Sequence, residues 1–380
     1  MTFHLTENQK MIQDLARGLA DKEFAPLAEE LDKTGRFPSE HVEKLTQAGL
    51  MGLNIPAVYG GAELDEVCKA LAIREIARVC ASTAELYAVH LLVNNIIEEN
   101  GSAEQKEKYL SMACAGKLGA FALTEPNAGS DAGGLRTRAV RDGEHYVLDG
   151  SKCFISNMGP EEGDYVVVIA LTDPAKGTRG GMTAFLVDRD NPGMSLGKTE
   201  DKMGIRAAAV SELIFENCRV HSSSVLGKEG DGFRIAMNGL DGGRVGIAAQ
   251  ACGVAEGALQ AALEYSKQRV QFGKPICANQ GIQWYLADMA TRTEAAWLLT
   301  LKAAEMRDRK EPAAMNCSMA KYYAAENAVW VTSKALQVHG GYGYMKDYAI
   351  ERMYRDARII PMYEGTSEVQ KMVIAKELLK

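Results

Sequence analysis

The sequence predicts an α+β protein of three units, in which a helical segment, a β segment and a second helical segment follow one another. Apolar residues recur with helical spacing up to about residue 120 and again after Gly227. Short runs of β-branched residues, separated by Gly, Asp, Asn and Pro, lie between these two regions. The chain has 380 residues, of which 47% are hydrophobic and 24% charged, and this is enough for two or three domains. We predict domains at residues 1–120, 121–226 and 227–380.

The first unit contains a series of helices with recognisable start signals. Thr6 has a side chain that can cap a helix, and apolar residues recur behind it at i, i+3 and i+4. Pro38–Ser39 begins another helix, and a loop with one proline and two glycines follows at 56–61. Further helices are predicted across 65–80 and 83–99 and from Ser102.

The middle unit contains four short apolar or β-branched runs, at residues 146–148, 165–170, 183–187 and 212–215. No helical pattern separates them. Strands that follow one another in this way are typical of an antiparallel sandwich or barrel. We therefore expect that fold between residues 121 and 226.

The last unit contains long helical stretches near 231–268, 279–309 and 312–338, and a short helix at the end. This pattern predicts a helical bundle. In the final helix, Ser367 and Gln370 have the spacing of a capping box. Its apolar face is predicted from Val369 onward through Ile374.

Composition excludes several classes of function. The net charge of −7 argues against nucleic acid or an anionic membrane as the main partner. The six histidines show no metal-binding spacing, so no protein-bound metal is expected. No apolar run is long enough for membrane insertion. Eight scattered cysteines without a C-x-x-C pair, and a polar start without signal-peptide features, predict a cytoplasmic protein.

A candidate general base lies in the turn before the last helix. Glu364 stands between an aromatic residue and Gly365, and the glycine permits φ > 0 or a close approach of the backbone. The free N–H groups of the following helix favour anions at this place. Judged by its neighbours alone, Glu364 is more simply interpreted as a structural residue of a helix-start turn.

Five further stretches could bind a ligand, although each also has an ordinary structural interpretation. The loop at 121–131 is rich in donors, but it also fits a turn between strands. Asp241 and Arg244 have the spacing of a surface ion pair on a helix, and the glycines after His339 can simply end one. The remaining two stretches are a strand end at 152–157 and a helix exit at 269–275. No G-x-G-x-x-G after a strand, Walker A or G-x-S-x-G pattern is present.

The combination and order of these motifs resemble the acyl-CoA dehydrogenase family over residues 6–380. Residues 122–126 with 129–131 are similar to the flavin loop of that family. The resemblance implies a helical domain, a β-sandwich-like middle domain and a C-terminal four-helix bundle, with FAD as the cofactor. The motifs similar to its C-terminal signatures are Arg269 with Phe272–Gly273, Gln337 with Gly340–Gly341, and residues 363–367.

The resemblance also implies which residues hold FAD. The set around the flavin consists of Phe121, Leu123, Thr124, Gly129, Ser130, Phe154, Ile155, Ser156, Thr366, Ser367 and Glu368. The ADP half is expected to contact residues partly from a neighbouring subunit, which are Arg269, Gln271, Phe272, Gln280, Gln337, His339, Gly340 and Gly341. By itself, His339 is more simply structural than catalytic.

The implied reaction is α,β-dehydrogenation of an acyl-CoA thioester. Glu364 is expected to remove the α-proton while the β-hydrogen leaves as hydride to flavin N5. Some members of the family carry the base on the long helix near position 243, but this chain has Gly243 there. The stretch 241–244 is most similar to the short-chain, butyryl-type subgroup. Substrate contacts are expected from Ser130, Asp241, Arg244 and Gly365.

The resemblance further implies a homodimer at least, commonly a tetramer built as a dimer of dimers, and electron-transferring flavoprotein as the partner. One alternative is the same scaffold working as a flavin-dependent enoyl-CoA reductase on acrylyl- or aryl-acrylyl-CoA. A second alternative is a non-catalytic interaction subunit, against which the retained Glu364 and flavin motifs argue.

Overall fold

The computed structural model describes residues 4–380. The first three residues, which belong to the polar start interpreted above, lie outside this range. Among the described residues, none of the helices is sufficiently long and apolar to cross a membrane. The helices of the first unit are α1 (Glu7–Leu19), α2 (Ala28–Thr34), α3 (Ser39–Gln47), α4 (Glu66–Ala77), α5 (Ala81–Asn100) and α6 (Ala103–Cys114).

Two of these helices begin with complete capping boxes. At α1 the Thr6 hydroxyl accepts from the backbone N–H of Gln9, and the Gln9 side chain accepts from the N–H of Thr6. Ser102 and Gln105 form the same pair of bonds at α6. Both starts confirm the prediction, because a capping box depends only on residues three positions apart.

The middle unit is a single sheet with the strand order β6-β7-β3-β2-β4-β5-β8, and β1 pairs with β4 beside β2. Eight strands build it: β1 (Gly119–Ala122), β2 (Arg138–Asp142), β3 (His145–Ser156), β4 (Tyr165–Leu171), β5 (Met182–Asp188), β6 (Met194–Thr199), β7 (Val210–His221) and β8 (Val225–Leu226).

The expected antiparallel arrangement needs correction at two pairings. Strands β1 and β2 both run parallel to β4, through the pairs Ala122–Val168 and Arg138–Leu171. The chain leaves the sheet after β1 and rejoins the same edge of β4 further along, in the same direction. The segment 123–137 is therefore held out from the sheet as a long loop between two anchored ends.

The sheet folds over on itself, as a sandwich-like unit requires. The rings of Tyr146 on β3 and Phe185 on β5 lie 5.1 Å apart, although β2 and β4 separate their strands. In a flat sheet three strand intervals would place them roughly 14 Å apart. The space between the two halves is filled by side chains such as Leu148, Val168 and Phe215.

The helices of the last unit are α7 (Gly232–Gln268), α8 (Gln280–Asp308), α9 (Ala314–His339), α10 (Ala349–Ala357) and α11 (Ser367–Leu378). A short hairpin, β9 (Val270–Gln271) and β10 (Lys274–Pro275), connects α7 to α8. Helix α7 packs against α8 and α9, and also against α4 and α5. One hydrophobic core therefore runs through both helical units, and includes Ile73, Leu86, Val245, Leu301 and Val331.

The predicted capping box at the last helix is wrong. Thr366 is the N-cap, since its hydroxyl accepts from the N–H of Val369 at 3.3 Å. Ser367 is the first helical residue, and its hydroxyl donates to Glu326 of α9 at 2.5 Å. The Gln370 side chain donates to the carbonyl of Glu364. The predicted apolar face is also only partly covered, because Met372 is 70% exposed.

Candidate active site

The turn that carries Glu364 has an unusual backbone. Glu364 has φ +48° and Gly365 has φ +88°, so two successive residues adopt the left-handed region. For a glutamate this conformation costs on the order of 1 kcal/mol and persists only where the surroundings impose it. A side chain at Gly365 would also lie 2.7 Å from the Gln370 amide nitrogen. Glycine is therefore required there for both conformation and space.

Two buried side chains hold this turn from behind. Lys321 of α9 donates its Nζ to the carbonyl of Gly365 at 2.8 Å. The Nε2 of Gln370 donates to the carbonyl of Gly365 at 2.9 Å and to that of Glu364 at 3.1 Å. Because both carbonyls accept from rigid, buried donors, the direction of the Glu364 side chain is set by the surrounding helices.

Glu364 is half-buried, and one of its carboxylate oxygens is buried without a partner. Among the described residues, its Oε2 has no hydrogen-bond partner. Burial raises the pKa of Glu364 to about 7, against the opposing charges of Lys321 and Arg244, and nearby Glu85 adds to the increase. A carboxyl group with this pKa is populated in both forms near neutral pH, which suits a general base or acid.

Helix α7 leaves room for this carboxylate at Gly243. A Cβ atom there would lie within 3.1 Å of both carboxylate oxygens of Glu364. A side chain at position 243 and the side chain of Glu364 would therefore occupy the same space, so only one of the two positions can carry a side chain that fills it.

The turn is also connected to α5. Tyr363 donates its hydroxyl to Oε1 of Gln250 on α7. The Nε2 of Gln250 donates to the carbonyl of Ala81 at 3.0 Å. These bonds join the candidate base to the two helices that face it.

A buried ion pair shapes the loop that follows β1. Glu125 accepts from Nζ of Lys152 at 2.7 Å and from the backbone N–H groups of Arg136 and Thr137. Burial acts to raise the pKa of Glu125, but Lys152 and these donors outweigh it and lower the pKa. Lys152 also donates to the carbonyl of Leu123 at 3.0 Å. The pair ties the loop to β3, so residues 121–130 lie beside the end of that strand.

The flavin contacts predicted in residues 121–130 and 154–156 differ in their exposure to solvent. Gly129 and Ser130 are exposed, Thr124 and Ser156 are half-buried, and Phe121 packs partly against the core. Phe154 is 64% exposed with φ +59°, so its ring is offered to a partner. The side chains of Leu123 and Ile155 are buried in the core, which leaves their backbone to face a ligand.

A groove of about 650 Å³ collects five of the eight residues predicted to hold the ADP half. The Arg269 guanidinium lies 5.2 Å from the Tyr342 ring centroid. The groove is lined by Arg269, Gln271, His339, Gly340 and Gly341, together with Tyr265, Ile276, Val338, Tyr342 and Met345.

His339 is a wall of this groove. It stacks on Tyr265 with ring centroids 4.3 Å apart, and its Nδ1 donates to the carbonyl of Ala335 at 2.8 Å. Burial lowers the pKa of His339, so the ring is neutral at physiological pH. This arrangement agrees with the structural interpretation of the histidine.

The other three predicted residues lie outside this groove. Gln337 lines a neighbouring groove of about 1150 Å³ on the opposite side of the end of α9. Phe272 is 97% exposed at the tip of the hairpin, and Gln280 is exposed at the start of α8. On one chain, therefore, these three residues do not line the Arg269 groove.

At the start of α11, the predicted FAD contacts have different roles. Thr366 caps the helix, the Ser367 hydroxyl is engaged by Glu326, and Glu368 is exposed. Ser367 thus presents its backbone rather than its hydroxyl to the surroundings of the turn.

The predicted substrate contacts centre on Arg244. Its Nη1 lies 2.5 Å from Oδ1 of Asp241, and its buried Nε has no partner among the described residues. Burial raises the pKa of Asp241. Arg244 follows Gly243 directly on α7, and its charge acts to lower the pKa of Glu364, so the two side chains are near each other. Gly365 belongs to the same turn, whereas Ser130 lies on the exposed loop.

The residues present fit FAD. The exposed Phe154 ring and the donor-rich loop suit a flat ring with polar edges. A Cβ atom at Gly129, Gly340 or Gly341 would have no heavy atom within 4 Å, so a ligand backbone can approach closely there. Arg269 beside the two groove glycines supplies the charge that a pyrophosphate requires.

Sequence reasoning missed two charged residues near the site. Lys321 and Glu85 are buried charges on otherwise apolar helices. A charged residue at a core position of an apolar helix is the signal that could have identified them. Their partners could not be found in this way, since Lys321 is 44 residues from Gly365 in sequence.

Three family models match this chain. The acyl-CoA dehydrogenase N-terminal domain matches residues 6–117, the middle domain residues 120–218 and the C-terminal domain residues 230–379. Together they cover nearly the whole chain.

Individual proteins are similar over their full length. The acryloyl-CoA reductase (NADH) of Anaerotignum propionicum is 50% identical over 100% of this chain and 96% of its own. The caffeyl-CoA reductase–Etf complex subunit CarC of Acetobacterium woodii is 46% identical over 100% of both chains. The solved structure of butyryl-CoA dehydrogenase from Megasphaera elsdenii superposes with a TM-score of 0.97, at 44% identity over 100% of both chains.

Proposed function

The chain belongs to the acyl-CoA dehydrogenase family, and from this premise we propose that it dehydrogenates short-chain acyl-CoA thioesters at C2–C3 with Glu364 as the base. The family is one of oxidoreductases that act on CH–CH groups, and its cofactor is FAD. The observation that carries the proposal is the buried, unpartnered Oε2 of Glu364, held on a strained turn in the space that Gly243 leaves open.

The α C–H group of a thioester is a weak acid, so its proton is difficult to remove. Two features of the site favour this removal. Burial raises the pKa of Glu364 to about 7, which makes it a stronger base than an exposed carboxylate. Lys321 and Gln370 fix the turn, so Oε2 is positioned before the substrate arrives. The C2 proton moves to this oxygen. Bound FAD would supply the acceptor for the C3 hydrogen, which leaves as hydride.

We further propose which residues hold the cofactor. The exposed segments of loop 121–130, Phe154 to Ser156, and the start of α11 would line the flavin ring. The groove at Arg269, Gly340 and Gly341 would hold the ADP half, with Phe272, Gln280 and Gln337 contributing across a subunit contact. Exposed apolar residues such as Phe272 and Met372 support such a contact. A homodimer or a tetramer of two dimers follows from this division.

The names of similar proteins support a short acyl chain in the substrate and electron-transferring flavoprotein as the redox partner. The Megasphaera structure is a butyryl-CoA dehydrogenase, and the Acetobacterium relative belongs to a reductase–Etf complex. We propose short acyl chains, with Asp241 and Arg244 near the CoA moiety, and electron-transferring flavoprotein as the redox partner of this chain.

A second candidate is the reverse reaction, reduction of an enoyl-CoA. Two of the relatives are named as acryloyl-CoA and caffeyl-CoA reductases. Because Glu364 is populated in both protonation states near neutral pH, it can also donate the C2 proton. The same residues would then serve, and only the direction of electron flow would differ.

The test is an anaerobic titration of the purified holoenzyme. Acyl-CoAs of graded length, including branched and aryl chains, should bleach the flavin absorbance, and short chains should do so at the lowest concentration. Enoyl-CoAs should restore the colour of the reduced enzyme, and the faster direction with electron-transferring flavoprotein identifies the physiological one. A colourless protein that takes up no FAD would favour the non-catalytic subunit.

A further inference from the structure

A second buried carboxylate near the turn has no part in the reaction described above. Glu85 lies on α5 and is only 1% exposed. Its Oε1 accepts a hydrogen bond from the Ser156 hydroxyl. Its Oε2 is buried and has no partner among the described residues. An unsatisfied buried carboxylate oxygen is costly, so its presence requires an explanation.

Other buried glutamates of this protein show what a structural role looks like. Glu75 is fully buried and accepts from Arg17 at 2.9 Å with both of its oxygens, and from Gln13. Glu125 is paired with Lys152 and with two backbone N–H groups. Glu85 has one hydroxyl donor and forms no ion pair within 4 Å among residues 4–380.

The nearest influential cation is not an ion-pair partner of Glu85. Burial raises the pKa of Glu85 to about 7, and the charge of Lys202 acts against this increase. Its Nζ, however, donates to the carbonyls of Glu200 and Arg206, each at 3.4 Å. The second oxygen of Glu85 is therefore available for a partner that is not part of this chain.

The bonds around Glu85 place it between the proposed flavin site and the base. Ser156 and Asn157, at the end of β3, bond to Glu85 and to the carbonyl of Leu86, the latter at 2.9 Å. One turn earlier on α5, the carbonyl of Ala81 is joined through Gln250 to the Tyr363 hydroxyl. Under the proposed function the acyl chain reaches this part of the molecule, since its C2 lies at Glu364 and its C3 at the proposed flavin contacts, which include Ser156.

We propose that Glu85 accepts a hydrogen bond from an ammonium or hydroxyl group carried on the acyl chain of the substrate. This rests on the proposed function, to which it adds the substrate class: a short, donor-bearing acyl chain in place of a plain hydrocarbon. A methyl group against Glu85 would leave its oxygen unsatisfied, whereas a donor would satisfy it. Sites built to bond a polar group reject the analogue that lacks it.

The test uses ligands that differ only in one terminal group. Butyryl-CoA, 3-hydroxypropionyl-CoA and 3-aminopropionyl-CoA have equally long chains that end in methyl, hydroxyl and ammonium, and a set one carbon longer probes reach. The holoenzyme with Glu364→Gln binds them without turnover, and calorimetry gives each Kd. Burial raises the pKa of Glu85 to about 7, so the measurement is made above this pH, where the carboxylate form prevails. We then expect a donor-bearing ligand to bind about tenfold to a hundredfold more tightly than its methyl counterpart, as for a hydrogen bond to a charged group.

Variants at Glu85 then show whether this residue causes the preference for donor-bearing ligands. Glu85→Leu, added to Glu364→Gln, should abolish the preference and tighten butyryl-CoA binding. Glu85→Gln keeps the shape and the Ser156 contact, and should weaken the ammonium ligand more than the hydroxyl ligand. Glu98→Gln, the same charge change further along α5, should leave all three Kd values unchanged. Flavin absorbance and thermal unfolding confirm that each variant is folded.

The outcomes separate this proposal from the proposed function. If the enzyme that retains Glu85 binds the methyl ligands as tightly as the donor-bearing ligands, or more tightly, the role of Glu85 is overturned and the proposed function stands. A preference for donor-bearing ligands that persists in the Glu85→Leu variant has the same consequence. If no acyl-CoA of either set binds, the proposed function is overturned and this inference with it. If only the ammonium ligand binds more tightly, the acyl chain of the substrate is cationic. If only the hydroxyl ligand binds more tightly, that chain is neutral. Either result supports the role of Glu85.

Discussion

The carboxylate of Glu364 occupies the space that a side chain at Gly243 would fill. A Cβ atom at Gly243 would lie 3.1 Å from Oε1 of that carboxylate and 2.3 Å from Oε2, and the second distance is shorter than real Cβ contacts. Gly243 belongs to α7 and Glu364 to the turn before α11, so the long helix and the C-terminal turn must be matched to each other for the site to form.

Replacement of Gly243 by alanine should therefore displace the base. We expect kcat for acyl-CoA oxidation to fall about 100-fold, because a misplacement of roughly 1 Å has an effect of that size. Gly246→Ala is the matched control on the same helix, since its nearest heavy atoms would be at 3.4 and 3.7 Å. A Gly243→Ala enzyme with the activity of the control would contradict the geometry described here.

Glu364→Gln should abolish turnover without loss of the cofactor. The amide preserves the shape of the side chain but cannot take up a proton, so kcat should fall by at least about 100-fold. Flavin content and the Kd for butyryl-CoA should change little. Turnover close to that of the unmodified enzyme would remove Glu364 from the role of base.

The rate of dehydrogenation should rise with pH through about 7 and level off above it. The raised pKa of Glu364 means that its basic form is populated only above this value. For enoyl-CoA reduction the dependence should be the opposite, because the protonated form is then required. A pH profile of kcat in each direction checks both statements, and a rise centred near 4.5 would show that burial does not govern this group.

Lys321→Met tests the source of that pKa. The ammonium group opposes the effect of burial on Glu364, so its removal should raise the apparent pKa in the dehydrogenation profile further. Turnover should also fall, because Gly365 loses the donor at 2.8 Å. Lys302→Met, on the exposed side of α8, serves as the control and should leave the profile in place.

The Lys152–Glu125 pair should be a determinant of both stability and FAD retention. Lys152→Met leaves Glu125 buried without its charge partner, which typically costs about 3–5 kcal/mol. The loop at 121–130 should loosen as well. Denaturant unfolding and the FAD-to-protein ratio measure these effects. Lys10→Met breaks an exposed pair and should change the free energy of unfolding by less than about 1 kcal/mol.

Much of the architecture follows from short-range sequence patterns. The starts of α1 and α6 depend on residues three positions apart, and both were predictable from Thr6 and Ser102. The order of helical, β and helical segments follows from the spacing of apolar residues. The family and its FAD were recognised from five motifs in a definite order, and the family models and relatives confirm both. The individual site residues stay predictions.

Other features were decided only by the tertiary structure. The last helix is capped by Thr366 instead of Ser367, because Glu326, 41 residues away in sequence, engages the Ser367 hydroxyl. The two parallel pairings of β4 depend on where the chain rejoins the sheet after its loop.

The sequence by itself identified Glu364 as the candidate base, through its motif, but not the environment that makes it one. Its pKa, its orientation and the space it fills depend on Lys321, Gln370 and Gly243, which belong to three different helices. Periodicity and capping act over three or four residues and are visible in the sequence. Burial and charge act between residues that are distant along the chain, and only the folded arrangement brings these together.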